Sequence, residues 1–197
     1  MTEIGEPPLD TIGLLTSRAS IGADFMAEPG PTDVELRQIL AAGLRVPDHG
    51  RLFPWRVQVL RKEAQRRLAE VYVARYRALN ADAREAQIEH DRRRPQRAPV
   101  LLAVSNRLQP GHKIPVLEQT LSGGAMCMNI LNAAHLLGFA AQWVTGWIAY
   151  DEVAGRILGL QPGERFVAII HIGTSTVPPV DRPRPPLSEI VSEWEGP

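Results

Sequence analysis

A single cysteine, Cys127, rules out a disulfide within the chain and a zinc site built from cysteines. Such sparing use fits a reducing compartment. The opening MTEIGEPPLD has no basic start followed by an apolar run, so we expect a cytoplasmic protein. No run of about 18 apolar residues occurs, which leaves the pattern without a membrane-spanning helix. Charge of one sign is missing too. The 22 basic residues are matched by 22 acidic ones, so no overall field draws the chain to nucleic acid or to an anionic membrane. The basic run DRRRPQR (91–97) lacks interleaved aromatics and reads as a solvated helix end. Catalytic signatures are also absent. No GxGxxG follows a strand, and GxxxxGK[ST], GxSxG and HExxH do not occur. His49, His90, His112, His135 and His171 show no metal-ligand spacing. An enzyme with this sequence therefore takes its chemistry from a bound cofactor, and we expect no metal.

What is present alternates helices with strands. Residues 1–8 read as a loose arm, and Asp10 can cap a short helix, TIGLLTSR. Thr32 with Glu35 forms a capping box ahead of Val34, Leu36, Ile39, Leu40 and Leu44 at roughly helical spacing. WRVQVLR alternates as a strand. Residues 62–94, free of Gly and Pro, make one or two exposed helices with a seam at Leu68, Val71, Tyr72 and Tyr76. APVLLAVSN suits a buried strand. Residues 115–138 predict one long helix, apolar all round and so mostly buried. Gly123 and Gly124 inside it suggest close approach by another helix or a flat ligand. A strand AAQWVTGW, a short helix DEVAGRILGL and a last strand RFVAIIHIGT follow, and prolines keep the tail, 177–197, extended. One domain spanning 1–197 is expected, an α/β or α+β sandwich with helices on both faces of its sheet.

One connection carries more charge than a connection needs. AGLRVPDHGRLFPWRV (42–57) places Arg45, His49 and Arg51 within seven positions. Together with SRAS (17–20), HKIPVLEQ (112–119), GFAAQWVTGW (138–147) and RPRPPLSEIV (182–191), it resembles the nitroreductase family in motif order, closest to its short bacterial NAD(P)H nitroreductase branch. The resemblance covers about residues 14–190. It implies an α+β sandwich with a mixed sheet, a long central helix and an intertwined homodimer that holds FMN at the subunit interface. Hydride would pass from NAD(P)H to flavin N5 and on to a small-molecule acceptor, such as a nitroaromatic or quinone, by a ping-pong route. A flavin store or sensor with little turnover is the alternative.

Residue by residue, Arg18, Ala19 and Ser20 match the family's phosphate contacts. Arg182 and Arg184 resemble its C-terminal basic pair, and Arg suits phosphate because its fork binds bidentately. Arg45 and His49 match the pair that reaches the partner's flavin, where a cation stabilises the reduced ring. Trp143, Val144 and Thr145 match the segment lining that ring. Residues 133–138 correspond to a stretch associated with nicotinamide. Gly22, Arg51 and Phe53 depart from common family choices of Lys, Asn or Ser, and Gln.

Overall fold

The computed structural model describes residues 11–196; the expected N-terminal arm and the Asp10 cap lie outside them. The helices are α1 (Thr11–Ser17), α2 (Asp33–Gly43), α3 (Lys62–Leu79), α4 (Glu85–Arg93), α5 (Val116–Leu136), α6 (Glu152–Ile157) and α7 (Leu187–Ile190). Interleaved with them are strands β1 (Met26–Ala27), β2 (Trp55–Leu60), β3 (Val100–Asn106), β4 (Ala140–Val144) and β5 (Arg165–Ser175).

The apolar run of β3 is explained by what covers it. All seven of its residues are buried, and alternate ones face opposite sides. Val100, Leu102 and Val104 pack with Ile39 of α2 and with Met126 and Ile130 of α5. Leu101 and Ala103 pack with Leu68 and Tyr72 of α3 and with Ala154 of α6. In β5, Ile170 and Ile172 join the first cluster and Ile169 the second. Helices thus cover both faces of the sheet, as expected.

The strand order is β2-β3-β5, with β4 and β1 sharing the far edge of β5. Every pairing is antiparallel. Among the described residues the sheet is therefore antiparallel rather than mixed.

Local signals set the helix ends. The Thr32 hydroxyl accepts the Glu35 N–H, and the Glu35 carboxylate accepts the Thr32 N–H at 2.8 Å, which completes the capping box of α2. Asp151 caps α6 through the Ala154 N–H at 2.7 Å and also takes both arms of the Arg75 guanidinium. The Arg75 bonds hold its carboxyl below the usual range.

The long helix departs from expectation on one side. Its inner face, from Met126 to Ala134, is buried, and Gly43 of α2 lies against Ile130 so closely that an added Cβ would stand 2.7 Å from it. Its outer face is not covered by the described residues: Leu117 and Leu121 are 67% and 63% exposed, and Met128 and Leu136 also reach solvent. A side chain accounts for Gly123; the contact over Gly124 is an ordinary one that does not itself require a glycine. Asn106 fills the space over Gly123, and the Trp143 ring edge lies 3.9 Å from a Cβ placed on Gly124.

His171, in β5, is 3% exposed and its Nδ1 has no partner among the described residues. Burial, helped by the Arg97 cation and opposed by Asp24, pushes its pKa down from 6.5 to about 4. The folded protein keeps this imidazole neutral, whereas the unfolded chain protonates it below about pH 6.5. The unfolded state then binds more protons, so stability is lost as the pH falls from 6.5 toward 4. The slope from this group approaches about 1.4 kcal/mol per pH unit. Denaturant melts of a His171→Gln variant are expected to show a flatter profile across that window; the wild-type slope in the variant would remove His171 as its source.

Candidate cofactor site

Helix α5 organises the expected site residues into two groups, one near each end. Near its C-terminal end, Arg18, Ala19 and Ile21 follow α1 and face Leu131, His135 and Phe139 across a cavity of about 190 Å³. The Ser17 hydroxyl lies 3.4 Å from His135 Nε2 and links the end of α1 to α5. The Arg18 guanidinium is turned toward the Ser20 hydroxyl at 3.5 Å. No carboxylate among the described residues pairs with Arg18, whereas Arg56, Arg61, Arg75, Arg92 and Arg97 all have acidic partners.

Near the N-terminal half of α5 lies the charged loop. The Ser122 hydroxyl donates to Pro47 O at 2.6 Å and accepts the Trp55 indole N–H at 3.0 Å. The Asn129 amide donates to Arg45 O at 3.1 Å. His49 Nδ1 meets a Glu118 carboxylate oxygen at 2.7 Å. The loop backbone then turns left-handed at Gly50, Arg51 and Phe53, with φ of 75°, 54° and 48°. Such angles are uncommon for Arg and Phe. Here the Asp48 carboxylate supports them by accepting the Leu52 and Phe53 N–H groups at 3.1 and 2.9 Å. Two of the three departures from the family pattern, Arg51 and Phe53, therefore sit where the backbone is least ordinary. Arg45 and His49 are both exposed, and the Arg45 guanidinium has no partner among the described residues.

These groups do not meet within one chain. At about 1.5 Å of rise per residue, Glu118 beneath His49 and His135 beside Arg18 lie about 25 Å apart along α5.

Trp143 packs into the larger core cluster and donates its indole N–H to Val167 O at 3.1 Å. Val144 faces the other cluster, and Thr145 leaves the strand. Residues 133–138, expected near nicotinamide, help wall the Arg18 cavity through His135 and Gly138.

Arg182 and Arg184 are not brought to Arg18. Both are exposed; Arg184 pairs with Asp181 and with the Arg182 carbonyl, and it is Pro179 that reaches the Arg18 cavity.

Sequence reasoning missed Ser122 and Asn129 as part of the clamp under the loop, and matched Glu118 by motif without a role. The available signal was their polarity on an otherwise apolar helix. His112, matched by motif alone, accepts the Ile114 N–H at 3.1 Å and shapes the turn before α5. Among the described residues no cluster of three or more potential metal ligands occurs, and no helix is long and apolar enough to cross a membrane.

The chain belongs to the nitroreductase family, whose sequence profile matches residues 15–174. YdjA of Escherichia coli K12, provisionally named an NAD(P)H nitroreductase, is 32% identical over 166 residues, covering 84% of this chain and 88% of that one. A relative from Haemophilus influenzae Rd with the same provisional name is 29% identical over 84% of this chain and 89% of that one. Among solved structures, a nitroreductase-like family protein from Bacillus cereus superposes with a TM-score of 0.80 at 22% identity, covering 97% of this chain and 99% of the other. A nitroreductase with bound FMN from Desulfitobacterium hafniense gives a TM-score of 0.65 at 20% identity over 96% of this chain and all of that one.

Proposed function

We propose that this protein is an FMN-dependent NAD(P)H oxidoreductase that works as a homodimer, reducing a small acceptor such as a nitroaromatic or quinone. One observation carries the reading. The Arg18 guanidinium, which no carboxylate among the described residues pairs, lines a cavity whose other walls are largely apolar and lies 3.5 Å from the Ser20 hydroxyl just outside it. That donor set fits an anionic phosphate. FMN, when bound, supplies the hydride chemistry. Arg18 and Ser20, with the backbone at Ala19, hold its phosphate, while Trp143 to Thr145 line its ring. Arg182 or Arg184 joins the phosphate only if the tail finds a place on a second subunit.

The loop 45–53 presents Arg45 and His49 outward, where they serve the flavin of a partner. Arg45 brings fixed positive charge to where negative charge grows on reduction. The exposed stripe of α5 and the exposed Leu187, Ile190 and Trp194 of the tail support a dimer, since such apolar area needs a cover. Donor and acceptor take turns in one site, a ping-pong order.

Purified protein should be yellow, and anaerobic NADH or NADPH should bleach it in stoichiometric amounts. A yellow protein that neither nucleotide bleaches would be a flavin store instead of an enzyme.

A further inference from the structure

Glu118, Ser122 and Asn129 lie on one side of α5, and each holds part of the charged loop, though not in the same way. Ser122 and Asn129 donate to main-chain carbonyls of Pro47, Ala42 and Arg45. Asp48 secures the main chain of Leu52 and Phe53. The loop backbone is thus tied at several points without Glu118. Of the three, Glu118 alone grips a side chain of the loop 45–53, His49, through Nδ1 at 2.7 Å. The pair is largely exposed within the chain, with side-chain exposures of 63% and 45%. An exposed pair of this kind contributes little to stability. Its effect is therefore on where the imidazole points and which nitrogen carries the proton.

We propose that Glu118 is a positioning residue for His49. A carboxylate has no proton to give, so Nδ1–H donates to it and Nε2 is left as the nitrogen that meets the cofactor. An imidazole without such a partner favours the opposite tautomer and turns freely about its side-chain bonds. Carboxylates behind functional histidines fix tautomer and ring orientation in this way. Nothing else in the loop can do so: Asp48, the nearest acidic residue in sequence, is engaged with main-chain N–H groups. The inference rests on the reading that His49 faces a bound flavin.

The test uses full-length protein labelled with 15N, observed by long-range 1H–15N correlation at mildly alkaline pH, first without and then with FMN. His49 signals are assigned with a His49→Asn variant. Wild-type apoprotein is expected to show the Nδ1–H pattern, and FMN is expected to shift the Nε2 resonance. In Glu118→Ala the His49 pattern should move toward the Nε2–H tautomer, and in Glu118→Gln, whose amide oxygen can still accept Nδ1–H, it should move less far. FMN affinity, read by quenching of flavin fluorescence, should weaken about 5- to 30-fold while the melting temperature stays near wild type. A His49 pattern unchanged in both variants, with wild-type flavin binding intact, overturns the positioning role alone. So does a changed tautomer with undiminished FMN affinity. If FMN binds the wild type but leaves Nε2 unmoved, or does not bind at all, the reading of the site falls and the proposal with it.

Discussion

Co-expressing an Arg18→Ala chain with a chain carrying Arg45→Ala and His49→Ala is expected to restore flavin binding that neither homodimer shows. The spacing along α5 underlies this. Arg18 sits beside His135 and His49 sits on Glu118, about 25 Å apart along one rigid helix. Two such chains related by a twofold axis can bring the Arg18 end of one to the loop of the other. In the mixed dimer, the Arg18→Ala chain donates an intact loop to the other chain's intact phosphate side. One of two sites is then whole, so turnover should recover to about half the wild-type level per heterodimer. Separately tagged chains, purified in sequence, isolate the heterodimer, and flavin absorbance reads the outcome. Heterodimers without flavin would place Arg45 and His49 in service of their own chain.

The second large effect is expected from Arg18→Ala alone. Losing a charged hydrogen bond typically costs about 1.5–3 kcal/mol, or roughly 10- to 150-fold in affinity. The fold has little to lose. Within the described residues the guanidinium touches only the Ser20 hydroxyl, at the long distance of 3.5 Å, so truncation leaves no buried group unpaired. Arg18→Ala should purify folded, with an unchanged melt as apoprotein and little bound flavin. Arg184→Ala is the useful contrast, because that side chain already pairs with Asp181 and does not line the Arg18 cavity. A loss of affinity there would show that the tail reaches the phosphate side from a second subunit. Isothermal titration with FMN measures both, and wild-type affinity in Arg18→Ala would remove that residue from the site.

The parts of this protein legible in the sequence are those governed by neighbours. Thr32 and Glu35 stand three residues apart, a spacing that closes a capping box in any helix start, and the box is there. The run from Val100 to Asn106 has no polar alternation, which only a strand covered on both sides tolerates, and both sides are covered. Family membership was likewise readable, because the ordered motifs lie along the chain.

Tertiary structure decided the rest. No local pattern says that every strand pairing is antiparallel, or that Pro179 of the tail, rather than Arg182 or Arg184, lines the Arg18 cavity. The apolar content of α5 marked it for burial but could not say which stripe the chain itself covers and which it leaves for another surface. The pairing of His49 with Glu118 joins residues 69 apart in sequence. Periodicity reports only which residues share a face of one element; which side chain meets which across that distance is fixed when α5 docks beneath the loop.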